Sequence, residues 1–290
     1  KEADAILDVS VSVAVARHLA RDVDSQSRRI SVFLAPSGRD LVMLAESRNR
    51  AIKLDSLEMQ YYRLVIGNAA LKDHLRPNDG VVRYANSCRD ISSTISQDLI
   101  SLHASIASAN TRKAIDDDSA RISVWRADPH SFTVQRFDGV PRQIIEDKIG
   151  DWTLCTDGFL VEKIYSLRKA KLPNETGGVL IGSYDLQRKI VYVVDTIPSP
   201  PDSEEWPTVY IRGCRGLREK IGRVEKTTLN RLTYVGEWHS HPSGTGCTPS
   251  QDDRTAFLWL SGIMGREGLP ALMLIAGHRK RFKFFLGQMV

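Results

Sequence analysis

The sequence predicts a protein of mixed α/β and α+β class, built as two domains over residues 1–150 and 151–290. Three observations predict it. The 290 residues exceed what one core of about 100 to 150 residues needs. Strand-like and helix-like stretches follow one another along both halves, with no internal repeat and no low-complexity tract. The 42% hydrophobic and 26% charged content is that of globular domains with apolar cores, which excludes a disordered chain.

Charge and cysteine usage narrow the function classes. Forty basic against 35 acidic residues leave a net charge of +5, a mild bias that argues against nucleic-acid binding even with the run His278-Arg279-Lys280-Arg281. Cys88, Cys155, Cys214 and Cys247 lie far apart with no CxxC pair, so neither a disulfide framework nor a cysteine-rich zinc knuckle is expected. A reducing cytoplasm fits that usage. The apolar stretch Ala5 to Ala20 is interrupted by Asp8, Arg17 and His18, and no other stretch reaches the roughly 20 apolar residues of a membrane span, so no membrane partner is expected. Lys1 is not an initiator methionine and the chain opens almost at once into a strand-like run, which predicts an upstream segment.

In chain order, Ala5 to Val9 reads as a buried strand, followed by a helix through Ala20 with Val11, Val15 and Leu19 on one face. Arg29 to Ala35 and Asp40 to Ala45 read as a hairpin turned at Pro36-Ser37-Gly38. Helices are predicted over Asp55 to His74, ending before Pro77, and over Ile95 to Ala114, with strands over Arg121 to Arg126 and Phe132 to Phe137. Asp157 caps a helix whose Leu160, Ile164 and Leu167 fall at helical spacing and which stops before Pro173. Gly177 to Gly182 and Lys189 to Val194 are strands around a polar turn, and Pro198 to Pro207 is a loop with Pro200, Pro201 and Asp202. Within it Glu204, Glu205 and Trp206 are read as a solvated loop, against the alternative that they border a substrate groove. A helix over Gly216 to Asn230, a strand over Leu232 to His241, a helix opened by Ser250, and strands over Ala271 to Ala276 and Arg281 to Leu286 complete the second half.

The stretch that carries chemistry is Trp238-His239-Ser240-His241-Pro242, continuing to Pro249-Ser250-Gln251-Asp252-Asp253. Residues two apart on a strand face the same side, so His239 and His241 present both imidazoles to one point while Ser240 turns away. Asp253, three residues after Ser250 at the start of the next helix, turns its carboxylate back toward the strand end. Two nitrogens and one oxygen leave the fourth tetrahedral position of a zinc ion open, the mark of a catalytic site. The same residues admit a plainer reading, in which Ser250 and Asp253 form a capping box and the histidines are surface residues.

At these residues the sequence resembles the JAMM (JAB/MPN) family of zinc metallopeptidases, whose pattern is an upstream glutamate, then H-x-H, about seven residues, and S-x-x-D. Pro173-Asn174-Glu175-Thr176-Gly177-Gly178-Val179-Leu180-Ile181-Gly182 is similar to that family's glutamate-bearing segment, and the resemblance runs from Trp152 to Leu286. Eight residues, Pro242 to Pro249, stand where seven are usual, which makes Asp252 the alternative ligand to Asp253. The resemblance implies a central mixed β-sheet flanked by helices, one catalytic zinc, Glu175 as the proton carrier and Ser250 as a donor to the oxyanion. Without the resemblance, Glu175 reads as an ordinary solvated carboxylate. The implied substrates are bonds after the C-terminal tail of a ubiquitin-like protein in a bacterial conjugation pathway, with small-molecule amide and cysteine-conjugate substrates as further members of the class.

The segment Ala5-Ile6-Leu7-Asp8-Val9-Ser10 and the helix behind it resemble the later part of a ThiF-like adenylation domain, the fold of ubiquitin-activating enzymes, over Ala5 to Arg142. The glycine-rich nucleotide loop of such a domain is absent from the chain, so ATP and Mg enter only if an upstream half completes it. Asp8 matches an aspartate near the nucleotide and is equally read as a buried strand-end carboxylate. Cys88, flanked by Arg83 and Arg89, is a candidate thioester cysteine against the alternative of an inert structural thiol.

Two functions follow. The first is a zinc-dependent isopeptidase of deubiquitinase type that removes or matures a ubiquitin-like modifier. The second is a modifier-activating or modifier-binding module using Cys88, with a secondary metal site. A ubiquitin-like protein or its conjugates, and a conjugating enzyme, are the expected partners.

Overall fold

The computed structural model of the chain describes residues 3–77, 82–83, 91–92 and 94–287. Cys88, the candidate thioester residue, lies outside the described residues. Contacts divide the chain into two units, one running to Ile144 and taking in Lys226–Arg231, the other comprising Ile145–Glu225 and the chain from Leu232 onward. No helix among the described residues is long and apolar enough to cross a membrane.

The first unit contains β1 (Ala5–Asp8), α1 (Val13–Arg21), β2 (Arg28–Leu34), β3 (Asp40–Ala45), α2 (Leu54–Gly67), β4 (Val82–Arg83), β5 (Ile91–Ser92), α3 (Gln97–Asp116), β6 (Arg121–Ala127) and β7 (Val134–Gly139). Its main sheet has the order β1-β2-β3-β6-β7. β1 and β2 run parallel, joined through α1, and the other neighbours are antiparallel. Ile30, Val32, Leu41, Met43 and Trp125 form one core cluster with Ala114 of α3.

Three sequence expectations change here, each for a local reason. β1 is the sheet edge and not a buried strand, so Leu7 stays half exposed and only Asp8 of the four residues is buried. The buried face of α1 is Val13, Ala16 and Ala20 instead of Val11, Val15 and Leu19. Val11 has a positive φ of 61° and Ser12 caps the helix, so the apolar stripe starts two residues later than a count from Val11 assumes. The predicted Asp55 to His74 helix ends at Gly67, where the Asn68 side chain accepts from the Ala70 N–H and starts a short 3-10 turn over Ala69–Leu71.

The second unit contains β8 (Ile144–Ile149), β9 (Trp152–Asp157), α4 (Gly158–Lys171), β10 (Gly177–Asp185), β11 (Ile190–Pro198), β12 (Glu204–Glu205), β13 (Tyr210–Ile211), α5 (Leu217–Thr227), β14 (Thr233–Ser240), α6 (Gln251–Arg266), β15 (Ala271–Ala276) and β16 (Phe282–Gly287). Seven strands form one mixed sheet in the order β16-β15-β14-β10-β11-β9-β8. The parallel pairs are β14 with β15 and β11 with β9. Membership of β8 in this sheet puts the division between the units near residue 144, a few residues before the position read from the sequence.

The side chains of β14 divide between two layers, and the register shift against β10 that skips Val235 brings Val235 and Trp238, three residues apart, to the same one. Val235 and Trp238 join Leu160, Ile164 and Tyr165 of α4 in the larger core, where Trp238 is fully buried and its Nε1–H donates to Thr196 Oγ1 at 2.6 Å. Leu260 and Met264 of α6 pack with Tyr234 and Ala271 in a second cluster. The helix cap at Asp157 is as expected, its carboxylate accepting from the Leu160 N–H at 3.3 Å. The proline-rich segment differs from the expected loop: β12 and β13 pair as a small hairpin, Glu204 opposite Ile211 and Glu205 opposite Tyr210. Glu205 is not solvated there, since Lys171 Nζ and Thr176 Oγ1 both reach it at 2.5 Å.

Candidate metal centre

β14 ends at Ser240, and the next residue is held by the sheet, a helix and a loop at once. The His241 N–H donates to Ala276 O of β15 at 3.0 Å, and its carbonyl accepts from Arg168 Nε of α4 at 2.9 Å. Its ring Nδ1 lies 2.7 Å from the Gly246 carbonyl. A carbonyl can only accept, so Nδ1 carries a proton, and in the neutral imidazole Nε2 keeps its lone pair. This pairing orients a metal-ligating imidazole from behind. Arg168 was not singled out in the sequence, although an arginine four residues after Ile164 on the buried stripe of a helix is a visible anomaly.

The three predicted ligands meet. His239 Nε2 and His241 Nε2 are 3.3 Å apart, His239 Nε2 is 3.1 Å from Asp253 Oδ1, and His241 Nε2 is 3.5 Å from Asp253 Oδ2. Among the described residues these side chains form a group whose donor atoms all lie within 4.8 Å of one another. Two imidazole lone pairs and a carboxylate aimed at one point repel each other unless a cation, proton or metal, sits among them. Two nitrogens and one oxygen are a donor set for zinc with one position to spare. The residues therefore fit the ion that the sequence motif implies.

Asp253, not the neighbouring Asp252, occupies this position because of the helix start. The Asp253 N–H donates to Ser250 Oγ at 3.1 Å and the Ser250 N–H donates to Asp253 Oδ2 at 2.7 Å, a complete capping box. The plain structural reading and the metal reading thus hold together, since the cap is what aims the carboxylate at the histidines. Ser250 Oγ accepts within the cap and still has its own proton to donate.

Glu175 arrives from the segment just before β10, more than sixty residues earlier in the chain. The antiparallel register pairs Gly177 of β10 with His239 of β14. Beyond that pair, the Ser240 N–H donates to Thr176 O at 2.7 Å and the Thr176 N–H donates to Ser240 Oγ at 3.1 Å. The residue before Thr176 is carried to the end of the histidine strand, and its N–H donates to Trp206 O of the β12–β13 connection at 2.9 Å. Gly177 must be glycine in this crossing: a Cβ there would lie 2.3 Å from the Tyr210 ring and 2.4 Å from Trp238 O.

Electrostatics distinguish the two carboxylates. Burial pushes the Glu175 carboxyl up from its ordinary value, with His239 and His241 opposing and Asp253 reinforcing the shift. Burial acts on Asp253 in the same sense but is overcome by the hydrogen bonds from His239 and His241, which hold it far below the usual carboxylate range. The contact with Asp253 in turn raises the His241 imidazole against its burial. One carboxylate is held as an anion, and burial favours the protonated form of the other.

These groups stand along a groove of about 540 Å³, lined by Glu175, His239 and Asp253 and walled by Tyr210 of the hairpin and Trp259 of α6. Asp8 lies elsewhere, in the first unit, buried at the end of β1. Its carboxylate accepts from the Ser10 N–H at 2.9 Å, the Ser10 hydroxyl at 2.6 Å and the Ser31 hydroxyl at 3.0 Å.

Comparison with known proteins places the second unit. The family model described as prokaryotic homologues of the JAB domain matches residues 160–285. A protein of Enterobacter hormaechei subsp. hoffmannii, named a CD-NTase/cGAS isopeptidase, is 35% identical over 126 residues, covering 43% of this chain and 68% of its own length. An Escherichia coli protein of the same name is 29% identical over 112 residues, 36% of this chain and 63% of its own. The chain thus spans about two thirds of the length of these curated relatives. The solution structure of a Desulfitobacterium hafniense protein superposes with a TM-score of 0.33 at 22% identity, over 46% of this chain and 83% of that one.

Proposed function

The chain belongs to the family of prokaryotic homologues of the JAB domain, and from that premise we propose that it is a zinc-dependent isopeptidase cleaving after the C-terminal tail of a ubiquitin-like modifier in a bacterial conjugation pathway. The observation that carries this reading is the convergence of His239, His241 and Asp253 beside the buried carboxyl of Glu175. The relatives' printed name, isopeptidase, supports the bond type.

His239, His241 and Asp253 would hold the ion. When bound, zinc supplies the Lewis acidity that makes a water nucleophilic near neutral pH. Glu175 accepts the proton of the attacking water and returns it to the departing amine, a task suited to a carboxyl whose affinity for protons burial has raised. The Ser250 hydroxyl, fixed by the helix cap, donates to the oxygen on which charge develops. Tyr210 and Trp259 hold the tail along the groove and keep bulk water from it.

We read the first unit as the later part of a ThiF-like adenylation domain. The parallel β1–α1–β2 unit, with Asp8 at the end of its first strand, supports this. ATP and Mg would require a glycine-rich phosphate loop.

A panel of ubiquitin-like proteins, each fused through its tail to a fluorescent reporter, tests the reading. The zinc-loaded protein cleaves at least one at the last tail residue, chelation stops the reaction, and added zinc restores it. Cleavage that persists after chelation, with no zinc left in the sample, overturns it.

A further inference from the structure

In the first unit a pocket of about 600 Å³ is lined by Arg39, Asp40, Asp73, Arg76 and Arg126, with Asp40 of β3 paired to Arg126 of β6 across the sheet. Buried polar groups fix that pair. The His74 ring is fully buried, its Nδ1 2.7 Å from Asp40 Oδ2 and its Nε2 2.5 Å from the Tyr61 hydroxyl. Arg126 donates to the same carboxylate twice, Nε to Oδ1 and Nη2 to Oδ2, both at 2.7 Å, and its Nη1 donates to Ala70 O. Burial acts to raise the Asp40 carboxyl, but the bonds from Arg126 and His74 overcome it and hold it below its ordinary value. Three of the five N–H groups of the Arg126 guanidinium are thus engaged, and the two left over sit one on each terminal nitrogen. That is the fork that grips two oxygens of one oxyanion.

Two more guanidiniums share the pocket. Arg39 and Arg76 are exposed, and among the described residues neither side chain has a hydrogen-bond or ion-pair partner. The Arg39 backbone is fixed all the same, its N–H donating to Ser37 Oγ at 3.3 Å and its carbonyl accepting from the Ala127 N–H at 2.8 Å. Since Asp40 and Arg126 neutralise each other, the charge left on the lining is that of Arg39 and Arg76 against Asp73. Cationic heads gathered at one cavity repel each other, and an anion among them removes that cost. Asp73 repels a bare anion, so the ligand must also offer a hydrogen-bond donor. Pro77 is the one apolar side chain lining the pocket among the described residues, which leaves no wall for an aromatic ring or an acyl chain. The pocket is also separate from Asp8. Arg126 on β6 lies three strands across the sheet from β1, about 14 Å, and no described residue of β1 or α1 lines the pocket.

We infer that this pocket binds a small phosphate monoester bearing hydroxyl groups, with Arg39, Arg76 and the free edge of Arg126 on the phosphate oxygens and Asp73 on a hydroxyl. The site is independent of the metal centre and of the isopeptidase reading.

Calorimetric titration of the full chain, zinc-loaded and again with its metal stripped, tests this with ribose 5-phosphate, inorganic phosphate and ribose as probes. Ribose 5-phosphate should saturate one site per chain in both preparations and bind at least about tenfold more tightly than inorganic phosphate, the size of one charge-assisted contact. Arg39→Ala and Arg76→Ala, at exposed positions, should each weaken ribose 5-phosphate about tenfold. Asp73→Asn should narrow the gap between the two phosphates by tightening the inorganic one. No saturation by ribose 5-phosphate up to about 10 mM overturns the inference, and that titration needs no variant. Binding that disappears with the metal assigns the phosphate to the other unit and overturns it too. So does an affinity unchanged in the double variant Arg39→Ala/Arg76→Ala, or ribose or inorganic phosphate binding as tightly as the ester.

Discussion

Replacing Glu175 by glutamine keeps the size and shape of the side chain and removes only its capacity to carry a proton. The backbone anchors of this residue are unaffected, since its N–H bond to Trp206 O and the Thr176–Ser240 exchange involve neither carboxyl oxygen. Loss of a positioned general base costs about 10² to 10⁴ in rate, which at about 1.36 kcal/mol per decade is roughly 2.7 to 5.4 kcal/mol of transition-state stabilisation. The sign of the stability effect follows from the same burial. A carboxyl whose pKa is raised in the folded state binds protons more tightly there than in the unfolded chain, so its ionised form costs stability above the folded pKa. That cost shrinks as pH falls through it. Glutamine carries no such cost, and metal-free Glu175→Gln should unfold at the same temperature as metal-free wild type or higher. Single-turnover cleavage of the reporter fusion, zinc analysis and thermal unfolding read these outcomes separately. Turnover within tenfold of wild type in a variant that holds one zinc would refute the role given to Glu175.

Three further outcomes follow from the same geometry. Asp253→Asn keeps an oxygen for the helix cap but loses the anion, so zinc content should fall well below one per chain by mass analysis while the fold persists; Asp252→Asn should retain zinc. Arg168→Met removes the donor to the His241 carbonyl, and zinc affinity measured by chelator competition should drop about 10- to 100-fold, as for other groups that orient a ligand from behind, with partial recovery in Arg168→Lys. Trp238→Ala leaves a cavity between β14 and α4 and removes the donor to Thr196 Oγ1, whose own bond to Val179 O remains, and urea unfolding should show a loss of about 3 to 5 kcal/mol.

The elements that the sequence determined by itself are those whose causes are local. His239 and His241 share a face because strand residues alternate, whatever the strand is paired with. Asp253 points backward because Ser250 caps its helix, and Asp157 does the same for α4. Local signals misled where one residue shifted the count, as Val11 did for α1, or where exposure depends on what lies beside a strand, as at β1. The hairpin of β12 and β13 went unseen because its two-residue strands have no periodicity to read.

Tertiary structure decided everything that depends on pairing between distant segments. Glu175 is ordinary in its own stretch of chain, and only the register of Gly177 against His239, locked by Thr176 and Ser240, delivers it to the histidines and buries its carboxyl. Arg168 reaches the His241 carbonyl only because α4 lies across the sheet. Spacing along a chain sets the direction of a side chain. Its protonation, its neighbours and its access to a substrate are properties of the space that other segments enclose around it.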